Sequence, residues 1–85
     1  MNKQDIISEI LNYESKLRIY EIALNERRDA DFVLGYSFDD NSGVYNVYIN
    51  GERGLHHVRL STTDEIEALI KLLKMVKYEA KLNSL

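Results

Sequence analysis

The chain contains no cysteine, no proline and no tryptophan, and it has only four glycines. Without cysteine, a disulfide framework, a thiolate nucleophile and a cysteine zinc site are excluded, and a reducing compartment is favoured. The lack of proline and the scarcity of glycine leave no linker and no low-complexity tract. The N-terminus has no apolar run of signal-peptide length, and no stretch approaches the roughly 20 apolar residues that span a bilayer. We therefore expect a cytoplasmic protein without a membrane segment.

Length and charge narrow the class further. The chain has 85 residues, of which 45% are hydrophobic, so we expect one folded domain over 1–85 with a single core. The formal net charge is −3, with both signs mixed along the chain. A strongly basic face for phosphate backbones is therefore not indicated.

The first third of the chain has the rhythm of a packed helix. From about Lys3 to Arg28, apolar residues alternate at spacings of four and three, and Asn12 and Ser15 mark where such a helix would divide. The stripe consists of Ile6, Ile10, Tyr13, Leu17, Tyr20 and Leu24, and a weaker stripe beside it of Ile7, Leu11 and Ile22. We predict one long helix.

The middle of the chain predicts three strands, over Phe32–Phe38, Val44–Ile49 and Gly54–Leu60, because apolar and polar residues alternate. Asn50-Gly51 favours a tight turn with positive φ at both residues. The side chains predicted to face the helices are Phe32, Leu34, Tyr36, Tyr45, Val47, Ile49, Val58 and Leu60. Those predicted to face outward are Val33, Val44, Tyr48, Leu55, His57 and Arg59.

A second helix follows. Thr62 and Glu65 have the spacing of a capping box, and the apolar rhythm continues to about Lys81. The prediction is an α+β fold of order α-β-β-β-α, a three-stranded antiparallel meander with two helices packed on one face.

The two predicted helices carry more apolar surface than such a sheet can cover. The apolar arc of the last helix is about 220° wide, against the roughly 100° that lie on a sheet. The first helix would be roughly 38 Å long and a strand only about 23 Å. A symmetric homodimer would cover the excess. Its predicted interface residues are Ile7, Leu11, Ile22, Leu72, Met75 and Leu82.

Few residue groups point to chemistry. His56 and His57 are adjacent in a strand and would point to opposite faces, which does not suit a metal site. The segment from Asp39 to Gly43 holds only fragments of a calcium loop and is typical of a turn. Neither an activated nucleophile nor a phosphate loop is indicated. We predict no catalytic residues, no metal and no cofactor.

One family resemblance is present. The pattern of the chain consists of a long heptad-like first helix, the hairpin Gly43-Val44-Tyr45-Asn46-Val47-Tyr48-Ile49-Asn50-Gly51, a strand ending His57-Val58-Arg59-Leu60, and a capped helix. This pattern resembles the YbaB nucleoid-associated proteins. The resemblance implies an α-β-β-β-α fold and a dimer that binds DNA. A double-stranded-RNA-binding domain has the same element order, but the acidic start of the second helix would repel its phosphates.

The surface points to a protein partner. Tyrosine and arginine are enriched at binding hot spots. The residues predicted to bind the partner are Tyr48, Leu55, His57 and Arg59 on the sheet and Lys71, Lys74 and Tyr78 on the last helix. The leading hypothesis is a small non-enzymatic interaction protein, an adaptor, regulator or inhibitor of the size that mobile elements encode. The alternative is a YbaB-like dimeric DNA-binding protein, although DNA is not the favoured partner.

Overall fold

The computed structural model describes residues 2–83, which form two helices and a four-stranded sheet. The elements are α1 (Lys3–Asn12), β1 (Glu21–Ala23), β2 (Val33–Asp39), β3 (Val44–Asn50), β4 (His56–Thr62) and α2 (Glu65–Asn83). The predicted α+β class is confirmed, with the strands between the two helices. The predicted meander is β2-β3-β4, and its neighbours are antiparallel. The prediction of three strands is corrected to four, because β1 lies beside β2.

The first helix is much shorter than predicted. It has 10 residues, or about 15 Å, and begins where the side chain of Asn2 accepts the Asp5 N–H. A 3-10 turn over Glu14–Lys16 follows, and then Arg18 takes a positive φ of 56°. Leu17 is nevertheless fully buried, as the rhythm predicted. The spacing of the apolar residues thus predicted the burial of Leu17 correctly, but the prediction of a helix beyond Asn12 was wrong.

Strand β1 is joined to β2 by a segment that crosses the sheet. The two strands are parallel, with Ile22 beside Leu34, so the chain must cross one face of the sheet between them. Residues 24–32, here called the strap, make this crossing on the face opposite the helices. Its backbone is held there by hydrogen bonds with the side chains of Tyr48 and Asn50.

Buried side chains lie on both faces of the sheet. The helix-side core combines both helices with the sheet; its buried members are Ile6, Ile10, Leu17, Ile22, Leu34, Tyr36, Val47, Ala68, Leu69, Leu72, Leu73, Val76 and Ala80. A smaller cluster of Ala23, Val33 and Tyr48 lies under the strap. Tyr48 is 0% exposed, so its predicted role as an outward partner-binding residue is wrong.

Strand β4 contains a bulge that changes its register. Val47 pairs with Leu60 but Tyr48 pairs with Val58, so Arg59 is the extra residue. The side-chain alternation therefore shifts by one before Arg59. Val58 shares the strap face with Tyr48, and His57 shares the helix face with Ile49, which reverses the predicted faces of both.

The link between β3 and β4 also differs from the prediction. Asn50 is a buried strand residue paired with His56, and Gly51 has an extended φ of −96°. The positive φ in this link is at Arg53 instead, at 61°. The predicted Asn-Gly turn is therefore wrong, because the Asn50 side chain is used to anchor the strap.

Helix α2 begins two residues later than a Thr62 cap requires. Asp64 accepts the Ile66 N–H at 2.9 Å, and Thr62 accepts only the Asp64 N–H at 3.1 Å. The Glu65 carboxylate contacts Tyr36 and Lys3. The cap is thus Asp64 alone, and the predicted capping box is not formed. Within residues 2–83, neither helix is long and apolar enough to cross a membrane.

Candidate protein-binding cleft

A cleft of about 270 Å³ opens between α2 and the sheet. Its lining residues are Leu34, Ile49, Arg59, Lys71, Met75, Tyr78 and Glu79. On α2, Lys71, Met75 and Tyr78 follow at spacings of four and three, so they form one stripe along the helix. Strands β2 and β3 contribute apolar side chains, β4 contributes the charge of Arg59, and the helix contributes charged groups, aromatic surface and a thioether.

Arg59 reaches this cleft because of the bulge in β4. A regular strand would place residue 59 on the face opposite Leu60 and Val58. As the extra residue of the bulge, Arg59 instead lines the helix side of the sheet. Bulges often redirect a side chain in this way near binding sites.

Within residues 2–83, some cations of the protein are paired with carboxylates and others, such as Arg18 and Arg53, are not. Lys3, Arg28 and Lys77 each contact a carboxylate at 3.1 Å or less. Arg59 and Lys71, within the part of the chain that the structure describes, form no ion pair. The same holds for Lys74, which is exposed one turn further along α2. These charges are left available to a partner.

Glu79 is the one acidic residue that lines the cleft. Its charge and, to a larger extent, burial hold the pKa of Tyr20 above its ordinary value, so Glu79 also acts on the neighbouring part of the molecule. Two cations and one anion therefore border the cleft, which leaves it locally positive on a chain of net charge −3.

The cleft brings together part of the predicted partner-binding set. Arg59, Lys71 and Tyr78 line it, and Tyr78 is 62% exposed. Lys74, Leu55 and His57 are exposed but do not line it. Sequence reasoning missed Leu34, Ile49 and Glu79, because the first two were assigned to the core.

The predicted dimer residues are scattered. Met75 lines the cleft, and Leu11 and Leu82 are 45% and 44% exposed. Ile7 is half-buried beside the core. Ile22 and Leu72 lie in the core itself, so their assignment to a subunit interface is wrong.

A second polar arrangement lies under the strap. Tyr48 donates to the Glu26 carbonyl at 2.8 Å and accepts from the Arg28 N–H at 3.1 Å. The Asn50 amide donates to the carbonyls of Arg28 and Ala30, and its oxygen lies 2.7 Å from His56 Nδ1. These contacts fix the strap to β3.

Burial shifts the pKa values of this arrangement. Burial lowers the pKa of His56, assisted by the charge of Arg27, and burial raises the pKa of Tyr48. On the helix side, burial and the hydrogen bond to Glu65 raise the pKa of Tyr36. Each shift favours the neutral form of a side chain that supports the fold.

No group of three or more His, Asp or Glu side chains that could hold a metal ion lies among residues 2–83. No protein-family model, no curated protein and no solved structure matches this chain.

Proposed function

We propose that this chain is a small, non-enzymatic, cytoplasmic interaction protein, an adaptor, regulator or inhibitor that binds a protein partner through the cleft between β4 and α2. The observation that carries the proposal is the composition of the cleft. The half-buried Met75 and the exposed ring of Tyr78 adjoin two cations, Arg59 and Lys71, that have no carboxylate partner within the described residues. Buried aromatic and arginine contacts supply most of the energy at protein interfaces.

The cleft is large enough to receive side chains of a larger partner. Sites for drug-sized molecules usually enclose about 300–1,000 Å³ and bury most of the ligand. At about 270 Å³, this cleft is slightly smaller and suits one or two side chains from a larger partner.

The test is affinity capture with matched variants. The biotinylated protein, Tyr78→Ala and Ile19→Ala are each exposed to lysate, and the bound proteins are quantified by mass spectrometry. Tyr78 and Ile19 are similarly exposed, at 62% and 61%, but only Tyr78 lines the cleft. We expect a protein that the parent and Ile19→Ala retain and Tyr78→Ala loses. Equal capture by all three would contradict the proposal.

The alternative function, the DNA-binding dimer that the YbaB resemblance implies, is tested with the same purified protein. Contacts to phosphates release counterions, so binding to duplex DNA must weaken steeply as salt rises. A salt-dependent shift of duplex DNA in a gel, weakened by Arg59→Glu, would replace the protein-partner proposal with the DNA-binding one.

A further inference from the structure

We propose, on the basis of the protein-binding function above, that β4 accepts an extended acidic segment of the partner as an added strand, with its side chains entering the cleft. The first observation is that β4 is a long, open edge. Its only neighbour in the described sheet is β3, whereas the opposite edge, β1, has three residues. An edge strand carries backbone N–H and C=O groups without partners, and an extended peptide can pair with them.

The sequence of β4 lacks two of the features that usually protect such an edge, proline and lysine. The bulge at Arg59 is a third such feature, and it interrupts the edge at its centre. Natural edges are often blocked by proline or lysine. The strand reads His-His-Val-Arg-Leu-Ser-Thr and contains neither. Its single charged residue, Arg59, is directed into the cleft by the bulge. On either side of Arg59, 56–58 and 60–62 remain in regular register with β3 and are suited to pairing.

The cleft lies where an added strand would place alternate side chains. Successive residues of a strand point to opposite faces, so every second side chain of a segment paired with β4 would point to the helix side. There it would meet the apolar surface of Ile49 and Met75 and the ring of Tyr78. Main-chain pairing supplies affinity in such complexes, and the pockets for alternate side chains supply specificity.

The positive side chains in the cleft favour a partner segment of negative charge. Arg59 and Lys71 in the cleft, and Lys74 beside it, form no ion pair within the described residues, and Glu79 is the single opposing charge in the lining. A carboxylate of the partner would complete this arrangement, whereas a basic segment would be repelled.

A second copy of this chain is a poorer occupant. Arg59 is the central residue of β4, so symmetric pairing of two β4 strands would bring each Arg59 near its own counterpart. Like charges placed opposite each other across strands are destabilising.

The test is a selection of random linear peptides, displayed on phage, against the full-length protein. We expect enrichment of peptides that alternate acidic and apolar residues. Their affinity should fall about tenfold or more on Arg59→Glu and on Lys71→Glu, since each places like charges together. Arg27→Glu makes the same change of charge on the strap side and should leave affinity unchanged. Because the charge is reversed at two separate residues, the test remains valid if one of the two variants does not fold.

Backbone pairing is tested separately with N-methylated versions of an enriched peptide. Methylation of the alternate amides that face β4 should abolish binding, and methylation of the other amides should not. No enrichment, enrichment without acidic residues, or equal effects of the two methylation patterns would overturn the proposal. If one of these outcomes occurs while capture from lysate still depends on Tyr78, the added strand is refuted and the protein-binding function stands. If capture from lysate does not depend on Tyr78, the protein-binding function itself is refuted.

Discussion

A methyl group added at Gly35 would lie 2.7 Å from the Ala23 carbonyl oxygen and 2.9 Å from the Tyr48 hydroxyl. Such contacts require the backbone of β1 or the buried ring to move, so we expect Gly35→Ala to lower the free energy of unfolding by about 1–3 kcal/mol. Gly51→Ala is the matched control, because its Cβ would be 3.8 Å from the nearest atom and its φ is extended. Urea denaturation of both variants measures the difference; equal midpoints would contradict the close packing at Gly35.

His56 gives the protein a pH dependence whose sign follows from its lowered pKa. In the unfolded chain the imidazole takes up a proton near pH 6.5, and in the folded protein burial opposes that protonation. The unfolded state therefore binds more protons as the pH falls below about 6.5, and stability decreases until the folded pKa is reached. Above about pH 6.5 both states are neutral and this contribution is constant.

We expect urea denaturation between pH 7.5 and 5.5 to show this loss of stability in the parent and less of it in His56→Gln. His57→Gln serves as the control, because His57 is exposed and adjacent in sequence. The assignment to His56 would be wrong if its substitution left the pH dependence unchanged.

At the scale of elements, the start of α2 depends on Asp64. We expect Asp64→Ala to cost about 1 kcal/mol in free energy of unfolding, because the Ile66 N–H loses its acceptor. Asp40, an exposed aspartate in the β2–β3 turn, supplies the control substitution Asp40→Ala. Chemical denaturation compares the two with Thr62→Ala; a larger loss at Thr62 than at Asp64 would show that the cap is misassigned.

The strap depends on the hydroxyl of Tyr48. Tyr48→Phe would leave the Glu26 carbonyl and the Arg28 N–H without this partner, so we expect a loss of about 1–3 kcal/mol. Tyr78→Phe removes an exposed hydroxyl and should change stability by less than about 0.5 kcal/mol. Amide hydrogen exchange at Arg28 should accelerate in the first variant only. Unchanged exchange there would mean that the strap is held by other contacts.

The elements differ in how far local pattern determines them. Three antiparallel strands and α2 could be predicted from alternation and helical rhythm in the sequence, although β4 has no buried residue and β2 is buried on both faces at its start. Strand β1 could not, because its three residues carry no period and its place depends on pairing with β2. The turns around it carry no glycine. Arg18, Asn25 and Phe32 take positive φ, and only asparagine favours it by residue type.

The candidate cleft could be predicted only in part, and for a related reason. Lys71 and Tyr78 lie on the polar side of a periodic helix, so their exposure follows from the pattern. Arg59 was assigned to the opposite face of the sheet, because a bulge shifts the alternation without leaving a signal such as glycine. Gly35, in the middle of a strand, is of the residue type that marks a close backbone approach, although we did not predict this approach from the sequence.

At the scale of the whole molecule, we propose that the protein forms a dimer. Helix α1 is short and does not extend beyond the sheet, so the exposed side chains of Leu11 and Leu82 are the remaining candidates for the interface. We expect a sedimenting mass of twice the chain mass of 9.9 kDa at micromolar concentration. Leu11→Glu with Leu82→Glu should return it to one chain mass. Leu55→Glu, at an exposed position beside β4, should not. A parent protein that sediments as one chain would refute the dimer.

The strap also affects when the N-terminal part of the chain can finish folding. Tyr48 and Asn50 follow the strap residues that they bind by 20–22 positions, so α1, β1 and the strap leave the ribosome before their anchors exist. Contacts between β2, β3 and β4 join nearer neighbours and close smaller loops, which makes them faster to form. The strap therefore cannot be fixed to β3 until Tyr48 and Asn50 have been synthesised, whereas β1 pairs with β2 at a separation of 12 residues, within the range of the hairpin contacts.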